Sequence, residues 1–286
     1  MMTQRMLVLG HGYTAGYLTA LLRPQGWQVT GTTRDDPERV RAAGAAPLLW
    51  PGQVDAVRQA MAQADAILIS VAPDQGDPVL AAFAKDLARA PAGWIGYLST
   101  TAVYGDHQGG WVDEDTPLTP ATRRGAERVS AEAEWRALAD AHGLPLHIFR
   151  LAGIYGPGRG PFAKLRTGQA RRIVKPGQVF SRIHVEDIAQ MLLASLNRPR
   201  AGAVYNVCDD DPVPPEVVIA HAAELAGLPL PPAEDYQTAP MTPMARSFYA
   251  ESKRVSNQRI KAELGVRLRY PDYRAGLAAL AAAEGL

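Results

Sequence analysis

Short, unbroken apolar runs alternate with stretches of helical period along the first half of the chain. Residues 6–9 form an apolar run that stops at a glycine, 14–22 have helical character, and 28–33 are β-rich. A strand, a helix and a strand within about 30 residues make one βαβ unit. Residues 66–71 (AILISV), 94–98 and 147–154 are apolar without alternation, the pattern of strands covered on both faces. Helical segments at 54–63, 77–90 and 123–141 fall between them. Strands alternating with helices predict an α/β fold, a doubly wound parallel sheet with helices on both faces.

The pattern changes at residue 156. Turn signals at 156–161 (GPGRGP) and 175–177 (KPG) separate short pieces, and helices are predicted over 185–196, 214–226, 251–264 and 273–284. The proline-rich stretch 229–243 reads as a surface loop or lid. The expected division is a nucleotide-binding domain over 1–155 and a smaller C-terminal α/β substrate lobe over 156–286, with some later segments free to return to the first sheet.

Composition removes several classes. The 286 residues carry 30 Lys plus Arg against 29 Asp plus Glu, so no broad basic surface is available for nucleic acid or anionic lipid. Cys208 is alone and cannot close an intramolecular disulfide, which favours a reducing compartment. No run approaches the ~18 apolar residues of a membrane span, and the N-terminal apolar stretch is too short for a signal peptide. A cytoplasmic location is therefore expected, with neither nucleic acid nor membrane as partner.

Chemistry begins at the first glycine loop. Gly10, Gly12 and Ala15 occupy the positions of G-x-G-x-x-G/A directly after the first strand, with Tyr13 and Thr14 opening the first helix. Gly10 permits the tight turn, Gly12 admits a pyrophosphate close to the backbone, and the helix start offers unpaired N–H groups. Where a cofactor with a free 2′-hydroxyl meets Asp or Glu at the end of the second strand, this chain has Thr32-Thr33-Arg34. A guanidinium suits a 2′-phosphate, so the expected cofactor is NADP, while Asp35 keeps NAD open. No G-x-S-x-G elbow, triphosphate loop or zinc spacing is present, and Cys208 beside Asp209, Asp210 and Asp211 reads as structural.

Hydroxyls then cluster at the end of a strand, in Ser99-Thr100-Thr101-Ala102-Val103-Tyr104-Gly105-Asp106. Here the sequence resembles the extended short-chain dehydrogenase/reductases of the NAD-dependent epimerase/dehydratase type. Their S-[ST]-x-x-V-Y-G, Y-G-P-G and H-V-x-D-x-A segments match LSTTAVYGD, RLAGIYGPG at 150–158 and RIHVEDIA at 182–189, in family order. The resemblance implies a Rossmann-like domain with a small substrate lobe, often a homodimer, acting on a small-molecule substrate. It also implies that Thr100 holds the substrate's reacting oxygen, that Ala72 and Pro73 line the cofactor near its nicotinamide ribose, and that Ser99 lies close by. No metal is implied.

One family element is missing. Catalytic members carry Tyr-x-x-x-Lys on the next helix, and the tyrosine position falls on Gly125 or Ala126, in a segment (TRRGAERVSAEAEW, 122–135) that contains neither residue. Tyr104 or Tyr155, each after a strand end, is then the candidate proton donor. Arg123, Arg124 and Arg128 either replace the lysine electrostatically or form a solvated basic face. Tyr155, Arg159, Arg182 and His184 are expected at the substrate cleft, where the arginines suit a phosphate or carboxylate, and His184 equally suits a cap for the helix at 185. Two functions follow: an NADP-dependent oxidoreductase or epimerase for a small polar, sugar-like or phosphorylated substrate, or an NADP-binding sensor or regulator without turnover. The three matched segments favour the first, and the missing pair favours the second.

Overall fold

The computed structural model describes residues 3–286. Seven strands, β1 (Arg5–Leu9), β2 (Gln28–Thr33), β3 (Ala46–Leu49), β4 (Ala66–Ile69), β5 (Trp94–Thr100), β6 (Leu146–Leu151) and β7 (Val204–Val207), form one sheet. Their order is β3-β2-β1-β4-β5-β6-β7 and every neighbouring pair is parallel. The expected doubly wound α/β sheet is therefore present. Because successive side chains of a strand point to opposite faces, Met6 and Val8 enter one core while Leu7 and Leu9 enter the other.

Helices α1 (Tyr13–Leu22), α2 (Pro37–Ala42) and, on the opposite face, α3 (Val54–Met61), α4 (Pro78–Leu87) and α5 (Arg123–His142) cover the sheet. Their starts are set by local chemistry. Asp36 accepts from the Arg39 N–H ahead of Pro37, Asp77 from the Val79 and Leu80 N–H groups, and Thr122 from the Gly125 N–H. The short α2 and β3 have no counterpart in the apolar pattern, since β3 carries a proline and is half-buried at a sheet edge.

Past residue 156 the chain serves both halves. Helix α6 (Val185–Asn197) packs on α1, and β7 lies beside β6. The remainder builds a lobe whose core holds Tyr155, Phe162, Ala222, Tyr273 and Leu277, with helices at Pro215–Leu225 and Tyr273–Glu284. The predicted strand at 147–154 divides at Ala152: β6 ends at Leu151, and Gly153–Tyr155 pairs instead with Arg182–His184. The predicted helix at 251–264 is corrected to Gln258–Leu264, because Arg254–Val255 pairs with Trp111–Val112 and Glu251, Ser252 and Lys253 are buried before it. Their polar partners reward extended backbone: Lys253 Nζ donates to the Gly105 carbonyl at 2.7 Å, and the Ser252 N–H to Asp106 at 2.8 Å. The proline-rich stretch includes Ala233–Asp235, a strand paired with Arg172–Val174. Among the described residues no helix is long and apolar enough to cross a membrane.

Candidate functional site

The carboxyl ends of β1, β2, β4 and β5 meet where α1 begins, the edge at which open parallel sheets hold ligands. Gly10 has φ +87°, and a Cβ there would lie 2.8 Å from Val71 Cγ2, so both its conformation and its space require glycine. Two bonds from Thr32 shape this loop: its hydroxyl accepts from the Gly10 N–H at 2.8 Å and its carbonyl from the His11 N–H at 2.8 Å. The His11 ring is buried and bonds to the Thr19 hydroxyl at 2.9 Å, and burial pushes its pKa down, so it fills the loop as a neutral group. A side chain on Gly31 would strike that ring.

Gly12 is the N-cap of α1, and no side chain caps the helix or places an acid in its first turn. The helix dipole and open N–H groups there are unopposed, which fits the pyrophosphate of a dinucleotide. Thr14 is buried, whereas Tyr13 stays half-exposed at the mouth. A groove of about 330 Å³ borders the loop, with His11, Gly12, Tyr13, Tyr17 and Arg39 in its wall. Arg34 is exposed at the end of β2, while the Thr33 hydroxyl is buried and accepts from the Asp36 N–H at 3.3 Å. Thr33 therefore shapes the turn that presents Arg34. Arg39, which sequence reasoning passed over, lines the groove beside the loop and meets Asp36 at 3.4 Å; its only signal was a second basic residue after the strand-end arginine.

On the other flank, Ala72 is exposed and Pro73 buried after β4. Thr100 ends β5 half-buried, its oxygen accepting from the Ala102 N–H at 3.2 Å, which leaves its hydroxyl proton free to donate. Helix α5 comes up hard against the turn that follows. A Cβ on Gly125 would sit 2.7 Å from the Ala102 carbonyl oxygen and 2.9 Å from Pro120 Cβ. Arg128 is bound to the Leu98 carbonyl, while Arg123 and Arg124 are exposed, Arg123 pairing with Glu127 at 2.8 Å.

Ser99 and Tyr104 are not in the open cleft. Ser99 donates to Glu132 at 2.6 Å; Glu132 holds Arg150 at 2.8 Å; Arg150 donates to the Tyr104 oxygen at 2.9 Å, and Tyr104 donates to Asn206 at 2.7 Å. All five side chains are buried. Burial pushes the Tyr104 pKa up to about 12 against the pull of Arg150, so it is a poor proton donor near neutrality.

Tyr155 is turned into the lobe, where a Cβ on Gly276 would lie 2.0 Å from its oxygen. Its ring meets the His184 ring edge-on at 5.2 Å, and burial raises its pKa. His184 caps α6, its Nδ1 accepting from the Glu186 N–H at 3.3 Å, and burial pushes its pKa down. Arg182 donates to the Phe180 carbonyl at 2.8 Å and the Val213 carbonyl at 3.2 Å. Arg159 is exposed and lies over the Tyr13 ring at 4.3 Å. Among the described residues no group of three or more His, Cys, Asp or Glu could hold a metal ion.

A family model described as the NAD dependent epimerase/dehydratase family matches residues 6–208. The chain belongs to that family. It is 30% identical to protein YeeZ of Escherichia coli (strain K12) over 94% of this chain and 97% of that protein. A functionally unknown conserved protein from Silicibacter pomeroyi is 63% identical and superposes with a TM-score of 0.92, covering 98% of this chain and 99% of the other. The human epimerase family protein SDR39U1, solved with NADPH, shares the fold at 20% identity and a TM-score of 0.78, covering 98% and 99% of the two chains. The family binds NAD(P).

Proposed function

We propose that this chain uses NADP(H) to transfer hydride to or from a small polar, sugar-like or phosphorylated substrate, as an oxidoreductase or epimerase of its family. The observation that carries this reading is the meeting, at one sheet edge, of the uncapped α1 start behind Gly10 and Gly12, Arg34 at the end of β2 and Thr100 at the end of β5. A bound nicotinamide would supply the hydride chemistry. The backbone of 10–14 would hold the pyrophosphate, Arg34 with Arg39 nearby the 2′-phosphate, and the free Thr100 proton the substrate oxygen. Structural neighbours are solved with either cofactor, NADPH in the human protein and NAD in UDP-glucuronic acid 4-epimerase from Bacillus cereus, so the choice of NADP rests on Arg34.

Titration with NADPH and NADH tests the cofactor choice. Arg34→Asp is expected to weaken NADPH about tenfold or more, the size of one lost charge-assisted contact, and NADH little. Equal wild-type affinity for the two removes Arg34 from its role. A second reading, an NADP-binding sensor or regulator, rests on the missing pair on α5: a side chain at Gly125 would strike the Ala102 carbonyl, and the neighbouring position is Ala126. A carbonyl and sugar panel with NADPH, repeated on Thr100→Ala, separates the two. Turnover abolished by the substitution supports the enzyme, and binding without turnover across the panel supports the sensor.

A further inference from the structure

The second lobe reaches back to the phosphate loop through one turn. Gly156 and Arg159 are bridged, the Arg159 N–H donating to the Gly156 carbonyl at 2.8 Å, so the chain folds over within GPGR. Tyr13, the first residue of α1, donates its hydroxyl to the Pro157 carbonyl at 2.9 Å. Gly156 has φ +152°, and a Cβ there would lie 2.6 Å from the Tyr13 oxygen and 2.7 Å from Val185 Cγ1, so glycine is what allows the turn to seat. These contacts fix the guanidinium of Arg159 over the Tyr13 ring.

Stacking uses the face of a guanidinium and leaves its N–H edges free. Arg123 spends its charge on Asp74 and Glu127, but Arg159 has no carboxylate partner among the described residues. Glu186, the acidic side chain that bears on Tyr13, is paired with Arg269 at 2.7 Å. An unpaired cation is thus held against the first residue of the helix whose start faces the cofactor's phosphates. The sequence alone had assigned Arg159 to the substrate.

We propose that Arg159 is a positioning residue for the dinucleotide's pyrophosphate, contributed by the second lobe across the cleft. This inference rests on the dinucleotide reading above. A cation supplied from the lobe ties cofactor binding to lobe placement, since the turn that carries Arg159 is bonded to the phosphate loop itself.

The test is equilibrium binding of NADPH, NADH and ADP-ribose to the full chain and to Arg159→Ala, Arg159→Lys and Arg34→Ala, at low and high salt. Arg159→Ala is expected to weaken all three ligands about tenfold alike and to flatten the salt dependence, because the pyrophosphate is common to them. Arg159→Lys should recover part of the loss, and Arg34→Ala should affect NADPH alone. Thermal melting of each variant is the folding control. Wild-type affinity for ADP-ribose in Arg159→Ala overturns the proposal while leaving the dinucleotide reading intact. Failure of the unaltered chain to bind any of the three overturns both.

Discussion

Two buried polar clusters flank the cleft, and they are built on opposite terms. Under the ends of β5 and β6, Ser99, Glu132, Arg150, Tyr104 and Asn206 form a chain in which each donor finds an acceptor. In the lobe, the Tyr155 hydroxyl, His184 Nε2 and both oxygens of Asp209 are buried without a hydrogen-bond partner. A satisfied network in a low-dielectric interior rigidifies its surroundings, while an unsatisfied group stays neutral where it can. The first cluster is scaffold for the sheet edge that presents Thr100. The second is the part of the molecule whose protonation is open to pH.

The largest effect should come from breaking the satisfied cluster. Glu132→Ala leaves Arg150 buried and unpaired and is expected to cost about 3–5 kcal/mol in urea unfolding. A cost below about 1 kcal/mol would show that the network does not act as a unit.

Next is the pH dependence of the open cluster. Burial raises the Asp209 pKa from the ordinary 3.8 to about 8, with Arg182 pulling the other way. The folded state then binds the proton more tightly than the unfolded one, so this contribution to stability is complete below pH 3.8 and is lost as pH rises through 8. Asp209→Asn should remove that decline and gain about 1–3 kcal/mol at pH 9 relative to wild type. Parallel pH profiles of thermal melting for the two proteins would contradict it. His184 acts in the opposite direction, since its lowered pKa opposes folding only as pH falls below the ordinary 6.5.

The smallest and sharpest comparison is between two tyrosines. Tyr104→Phe strands Arg150 and Asn206 and should cost about 1–2 kcal/mol, whereas Tyr155→Phe deletes a hydroxyl with no partner and should be neutral or slightly stabilising. Equal costs would mean that the lobe cluster is satisfied in solution.

Much of the sheet could be read from the chain because β1, β4, β5 and β6 are apolar on both faces, and β2 and α1 follow them with the spacing of a βαβ unit. The glycine loop was legible from its spacing after the first strand, and Gly10 at φ +87° has backbone geometry that few residues tolerate. Nothing in the sequence separates Thr32 from Thr33, since only the fold shows that the Thr32 hydroxyl meets Gly10. The segment 251–253 was misread as helix because its period is ambiguous and its partners, Gly105 and Asp106, lie far off in sequence.

By itself, then, the sequence determined the alternation of elements, the glycine loop and the absence of Tyr and Lys on α5, because these depend on local period, local backbone freedom and residue identity. Only tertiary structure decided which polar side chains are free. Ser99, Tyr104 and Tyr155 look like site residues at strand ends, but partners from other elements take up the first two and the lobe core buries the third. Arg159 was placed with the substrate by position and came to rest on Tyr13 because a glycine turn seats against the start of α1. Reactivity depends on burial and on which partners are within about 3 Å, and those are set by contacts between distant segments.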